Sequence, residues 1–275
     1  MSDSESPYTS EADRKRAERY AALEAEAPVI SADQYRTQSR RSFLSGGAAA
    51  VAGYAGWRWL QGRPEDYNIP DVLRSGHEFN EALWSTIDRE QALAHTFDPS
   101  ESSMIRVNGR HGIREEIDLD SWELQVVGPN GEVIGTHTMD EIRELPKTEW
   151  TVEHKCVEGW SHIVTWGGTA FSNFAALYED EIGPDMADVE FVSMVTPDED
   201  YYVGLDVPSM RNPQMLLAWE LQGEPLTSEH GAPLRLATPN KYGIKCIKRV
   251  GTIEFTNEQP TDFWFERGYD WFAQL

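Results

Sequence analysis

The sequence is poor in cysteine, with two in 275 residues, Cys156 and Cys246. Two thiols cannot build a disulfide framework, so stability must come from a hydrophobic core, which a chain of this length can bury. Positive charge is scarce too: 24 Lys and Arg stand against 47 Asp and Glu, a formal net charge of −23. The acids are scattered rather than gathered in one tail, which describes a solvated, self-repelling surface suited to high salt. Such a field repels phosphate backbones and excludes nucleic acid as a partner. No Cys-x-x-Cys-His occurs, so no covalently attached haem is encoded. No uncharged apolar run reaches the roughly 20 residues that cross a bilayer. Acid itself is missing from one window, His230 to Ile253.

What is present begins with a polar stretch, residues 1–10, expected to be disordered. Glu11 to Ala27 favours a solvated helix, with Glu11 and Lys15 at i,i+4. These belong to an acidic leader, residues 1–38. Residues 39–61 hold Arg40-Arg41 ahead of an uncharged Gly/Ala-rich run from Phe43 to Trp57. Paired arginines before a weakly apolar segment are the pattern of a twin-arginine export signal, which carries folded proteins. No clear cleavage site follows, so residues 43–60 can remain as an anchor; a buried Gly/Ala-rich helix is the other reading. Residues 62–103 read as a linker and a helix over Glu78 to Leu93.

Residues 104–275 alternate short strands and turns. Ile105 to Gly112 reads as turns and short strands. Trp122–Val127 alternates as a strand, and Gly128-Pro-Asn-Gly turns it into Glu132-Val-Ile. Met139–Leu145 is a short helix stopped by Pro146. Trp150–Val157, Val189–Val195 and Tyr201–Val203 are strands, Phe171–Tyr178 is a helix, and Met215–Leu221 is apolar and buried. The class is α+β, strand-rich.

Two stretches carry chemistry. In Thr151–Gly168, Cys156 is flanked by His154, Glu158 and His162, with Trp160 and Trp166 close behind. A thiolate is a soft ligand for zinc, copper or other thiophilic metals. On a strand, His154, Cys156 and Glu158 share a face, and His162 could close a four-ligand zinc or copper site in a non-enzymatic binding protein. A small buried Cys, or a Cys156–Cys246 disulfide, are the alternatives. The acid-free window carries Arg235, Lys241, Lys245, Lys248 and Arg249 on alternating apolar sequence. It would meet the need of an anion held against the core, most simply a phosphate; a basic strand edge resisting aggregation is the other reading.

Lys155-Cys-Val-Glu-Gly-Trp-Ser, Leu217-Ala-Trp-Glu-Leu-Gln-Gly-Glu-Pro-Leu, His230-Gly-Ala-Pro-Leu-Arg-Leu, Lys241-Tyr-Gly-Ile-Lys-Cys-Ile-Lys and the closing Phe263–Phe272 together resemble the sulfite oxidase family of molybdenum enzymes, in its methionine-sulfoxide-reductase-like branch. The likeness covers roughly residues 104–275. It implies a strand-rich molybdopterin-binding fold, here without the C-terminal dimerisation domain, and a Mo-molybdopterin cofactor whose phosphate supplies the anion. By that resemblance Cys156 is the molybdenum ligand and catalytic residue. His230 and Arg235 contact the pterin, and Cys246, Ile247 and Lys248 cradle its phosphate end. Ser193 matches a hydroxyl position near the cofactor. Arg106, Asn108 and His111 match a contact segment whose spacing is altered here.

Sulfite oxidases proper follow the cysteine with paired arginines; here Glu158 stands two residues on and disfavours an anionic substrate. The implied activity is oxygen-atom transfer with a small-molecule oxo donor or acceptor, sulfoxide rather than sulfite. The implied setting is extracytoplasmic, with electrons exchanged through a membrane cytochrome and the catalytic domain monomeric.

Overall fold

A computed structural model describes residues 11–26, 31–84 and 92–275. The chain divides into two compact units, Met1–Gly62 and Arg63–Leu275. The expectation of disorder over residues 1–10 lies outside the described residues.

The first unit holds α1 (Glu11–Glu26) and α2 (Ala32–Gln61). In α1 Lys15 meets Glu11 at 2.9 Å, as the i,i+4 spacing predicts. The paired arginines do not open an element of their own. They lie inside α2, which starts at a capping box: Ser31 Oγ accepts from the Gln34 N–H at 3.2 Å, and Gln34 Oε1 accepts from the Ser31 N–H at 3.0 Å. No residue of α2 is buried, and no described helix is long and apolar enough to cross a membrane.

The second unit opens with a small hairpin, β1 (Glu65–Asp66) and β2 (Ile69–Pro70), and α3 (Asp71–Trp84). The helix begins seven residues before the expected Glu78, and Leu93 lies in irregular chain beyond it; residues 85–91 of the expected helix lie outside the described residues. Residues 62–103 are more than a linker, because buried Arg74 ties α3 to the C-terminal segment. Its guanidinium donates to the carbonyls of Tyr269 (3.2 Å) and Phe265 (3.3 Å) and stacks 4.3 Å from the Phe265 ring.

Next come β3 (Glu123–Val127), β4 (Val133–Thr138), α4 (Met139–Arg143), β5 (Lys147–Lys155), β6 (Ser161–Ala170), α5 (Phe171–Ala175), β7 (Phe191–Val195), β8 (Tyr202–Asp206), β9 (Leu216–Leu221), β10 (Glu224–Pro225), β11 (Arg235–Ala237) and β12 (Thr252–Thr256). They make two five-stranded sheets. One runs β10-β9-β6-β5 with β11 also on β9; the other runs β4-β3-β12-β7-β8, where only the β12–β3 pair is parallel. Ile105–Gly112 forms no strand; it is irregular chain that crosses the site described below.

Strand alternation sorts the side chains of β9 between two cores. Leu217 and Trp219 join the larger core, with Leu124, Ile253, Met194 and Phe174. Leu216 and Ala218 join the smaller one, with Val152, Val164 and Trp166. A bulge opposite Gly167–Gly168 inserts Trp219 as an extra residue and returns Leu221 to the smaller core. Gly168 makes this possible, since a Cβ there would stand 2.1 Å from the Leu217 carbonyl oxygen.

Three of the five cations in the acid-free window serve the fold rather than an anion. Lys245 is buried against Asp262 at 2.6 Å and the Gly204 carbonyl at 2.8 Å. Lys241 lies 3.6 Å from Asp206 and donates to the Phe272 carbonyl. Arg249 donates to the carbonyls of Ala232 and Glu115 and to the Ser228 hydroxyl. Each ties the window to another part of the chain, which local sequence cannot display.

Gly168→Ala is expected to lower stability by about 2–3 kcal/mol in chemical denaturation, because the added methyl must force β6 from β9. Gly76→Ala in α3, with open space at its Cβ and no positive φ, provides the comparison and is expected to cost nothing.

Candidate active site

The β5–β6 hairpin builds the site. Its registered pairs Trp150–Trp166, Val152–Val164 and His154–His162 form a ladder on one face, apolar at the base and imidazole at the top. Above it the Cys156 N–H donates to the Trp160 carbonyl at 2.9 Å, and the Gly159 N–H donates to the Cys156 carbonyl at 3.0 Å. The result is a three-residue loop, Val157-Glu158-Gly159, closed by Gly159 at φ 87°. Cys156 therefore sits at a hairpin tip instead of on a strand, 8% exposed.

Irregular chain 105–111 and the former basic window close over this tip to leave a cavity of about 180 Å³. Arg106, Asn108, His111, Cys156, His230, Arg235, Cys246 and Lys248 line it together. Ile247 does not: it is fully buried in the larger core, its carbonyl accepting from Leu236 N–H. Ser193 does not either, because β7 turns it toward a separate groove on the second sheet. Tyr201, Gly243, Ile244, Trp264 and Tyr269 complete the wall. Trp264 and Tyr269 lie in the aromatic closing segment already singled out, whereas nothing local marked Tyr201. His154, weighed only as a zinc or copper ligand, belongs to the wall as well.

The cavity is electropositive. Arg235, on β11, donates to the carbonyls of His230 (2.8 Å) and Cys246 (3.1 Å) and lies 4.5 Å over the Trp166 ring. Its Nε is buried with no acceptor. Lys248 Nζ donates to the carbonyls of Asn108 (2.8 Å), Gly109 (3.2 Å) and Glu229 (2.8 Å). Burial, then Arg235, lowers the Lys248 pKa to about 8. Burial also lowers Arg235 and His230, and it drives His154 down to about 3, aided by Arg235, His162 and Lys248. The imidazole of His154 is thus neutral. Gly243 fits against it, since a Cβ there would approach its Nε2 to 2.7 Å.

Around the sulfur, Asn108 Nδ2 donates to Cys156 Sγ at 3.7 Å. Cys246 Sγ lies 3.9 Å from His154 Nδ1, and burial raises its pKa. At the rim Glu158 accepts from Trp160 Nε1 at 2.9 Å; that bond and one from Asn108 hold its carboxyl below the usual range. Arg106 lies 5.7 Å over the Trp160 ring. His111 is drawn sideways to Asp200 at 3.2 Å and packs on Phe263.

The four-ligand zinc or copper site does not form. Glu158 bonds the Trp160 indole, His162 Nδ1 lies 3.5 Å from the Ser103 hydroxyl, and no three His, Cys, Asp or Glu among the described residues are grouped to hold a metal. Both cysteines are free thiols.

Residues 111–264 match the oxidoreductase molybdopterin binding domain. The chain is 31% identical, over 85% of each sequence, to a protein named as a protein-methionine-sulfoxide reductase subunit, YedZ1, of Azospira oryzae. It is 30% identical to the protein-methionine-sulfoxide reductase catalytic subunit MsrP of Campylobacter jejuni, over 55% of this chain and 54% of that one. MsrP of Xanthomonas campestris is 31% identical, over 54% and 49%. The chain therefore spans about half the length of these catalytic subunits.

With a pKa of about 8, Lys248 is a cation at pH 7 and loses that charge as pH rises through 8. Affinity for inorganic phosphate, measured by isothermal titration on cofactor-free protein, is expected to fall between pH 7 and 9. Lys248→Met should lower the pH 7 affinity about tenfold and flatten the pH dependence, as loss of a charge-assisted bond requires.

Proposed function

Because the chain belongs to the oxidoreductase molybdopterin binding domain family, we propose that it is a molybdenum–molybdopterin enzyme of oxygen-atom transfer that reduces sulfoxides rather than oxidising sulfite. The observation that carries this reading is a shielded Cys156 thiol in one cavity with two cations, the buried Arg235 and the half-buried Lys248, whose hydrogen bonds go only to carbonyl oxygens. Buried charge without a counter-ion is costly, and an anionic group in the cavity would offset that cost. The orphaned Arg235 Nε is a further donor for it. The residues fit the cofactor. Arg235, Lys248 and the backbone near Cys246 would hold its phosphate end, His230 its pterin, and Cys156 the metal.

When bound, the group supplies a metal centre able to take an oxygen atom from substrate, the net change being sulfoxide plus two protons and two electrons to thioether plus water. The protein's part is placement. Hairpin closure fixes the direction of Cys156 Sγ, and Asn108 Nδ2 donates a hydrogen bond that helps hold it there. Trp160 walls the cavity beside Cys156, and Trp166, in the smaller core, supports Arg235 from below. Glu158, ionised at the rim, repels sulfite and tolerates a neutral sulfoxide.

The sulfoxide substrate of the relatives supports the choice; the sulfoxide in question is named for them as protein methionine sulfoxide. With no Cys-x-x-Cys-His in the sequence, electrons come from a partner, a membrane cytochrome. Arg40-Arg41 ahead of the uncharged run supports twin-arginine export and an extracytoplasmic site of action, with residues 43–60 retained as an anchor.

Cys156→Ser is expected to abolish reduction of a methyl sulfoxide by reduced dye, by at least a thousandfold, and to change or remove the molybdenum signal at otherwise unchanged stability. Wild-type protein holding stoichiometric zinc or copper, with no molybdenum and no pterin fluorescence after denaturation, would refute the proposal. For export, Arg40→Lys with Arg41→Lys should leave folded protein in the cytoplasmic fraction; unchanged fractionation would remove that part.

A further inference from the structure

A cavity larger than the one around Cys156 lies elsewhere on the second unit. It is an open groove of about 870 Å³ on the outer face of the β4-β3-β12-β7-β8 sheet. Register draws its floor: Gln125 pairs with Thr252, Thr252 with Val195, and Val195 with Tyr202, one row across four strands. Three strand spacings make that row about 14 Å long. The inner face of the same strands carries Leu124, Ile253, Met194 and Val203 in the larger core, so the outer row is free to serve something else.

The groove has one sign of charge. Asp118, Glu123 and Glu199 line it, and its lining contains no Lys, Arg or His. It also contains donors without acceptors. Ser193 is 7% exposed and lines the groove, and its hydroxyl makes no hydrogen bond to the described residues. The Trp122 indole N–H, in the same wall, is likewise unpaired.

We propose that this groove docks a cationic polypeptide segment of a partner protein. The carboxylates at the rim receive Lys or Arg side chains, and Ser193 donates to a backbone carbonyl. The length of the floor suits about four extended residues, and its openness suits a chain that passes through rather than a small ligand that is enclosed. The position gives docking a consequence. The β7–β8 turn separates groove from cavity: Thr196 and Glu199 line the groove, whereas Tyr201 lines the cavity and Asp200 holds His111 there. A segment seated in the groove therefore presses on the loop that shapes the cavity wall. The docking surface is independent of the cofactor reading, since none of its residues touches Cys156.

The test uses the full chain and a fluorescent octalysine peptide, followed by anisotropy at 150 mM salt, with spermine as the small-cation competitor. Glu123→Gln and Glu199→Gln are exposed changes that leave folding intact, and Ser193→Ala reports the buried donor. Asp140→Asn and Glu224→Gln, exposed acids outside the groove, report the general field. The expected result is a loss of about tenfold in affinity for Glu123→Gln with Glu199→Gln, about threefold for Ser193→Ala, and less than twofold for the controls. Hydrogen-exchange protection should appear on residues 117–125 and 193–202. Equal losses in groove and control variants, protection elsewhere alone, or spermine displacing the peptide with sensitivity to the same variants at equal affinity would each overturn the proposal.

Discussion

Two cations lining the cavity, the buried Arg235 and the half-buried Lys248, make no ion pair with an acid among the described residues, and they set the terms for the second unit. Arg235 and Lys248 are wrapped in carbonyl dipoles from residues 108, 109, 229, 230 and 246, and those dipoles come from three separate segments. Carbonyls lessen the cost of burying a charge but do not neutralise it. Burial, aided by the same cations, lowers the pKa of His154 and of His230. In a protein of net charge −23, this is a local inversion of sign, with positive charge gathered at the cavity while the outside repels anions.

The thiol depends on the cations only indirectly; its position comes from the hairpin. Pairing from Lys147–Thr169 to Lys155–Ser161 is unbroken, so the tip is carried on a stiff ladder anchored by Trp150, Trp166 and the smaller core. The bulge at Gly167–Gly168 lets the far end of that ladder join β9, which in turn carries β11 and Arg235. One sheet thus presents both the sulfur and the guanidinium. The separation between them follows from strand register rather than from any contact between the two side chains.

Much of this was legible beforehand. The strands from Trp122 to Val127 and from Val189 to Val195, the short helix before Pro146 and the helix at Phe171 follow from period, turn residues and proline, all local properties. Cys156, Arg235 and Lys248, which the family resemblance names together, line one cavity. Less legible was the irregular chain at 105–112, where Ile105 and Val107 alternate like a strand but Ile105 lines the cavity and Val107 stays exposed. The start of α3 at Asp71 was also missed, because the helix is held by Arg74 reaching residues nearly two hundred positions away.

The sequence by itself determined the class of structure, the thiol and the existence of an unusual basic window, because each is a matter of composition, periodicity or motif. Only the tertiary structure decided how the five cations of that window divide. Lys241, Lys245 and Arg249 meet Asp206, Asp262 and distant carbonyls, while Arg235 and Lys248 alone reach the cavity. It also decided that Ser193 faces a different groove and that Cys156 leaves its strand. Neighbouring residues in a strand point to opposite faces, so which face meets which cavity is settled by sheet pairing between segments far apart in the chain.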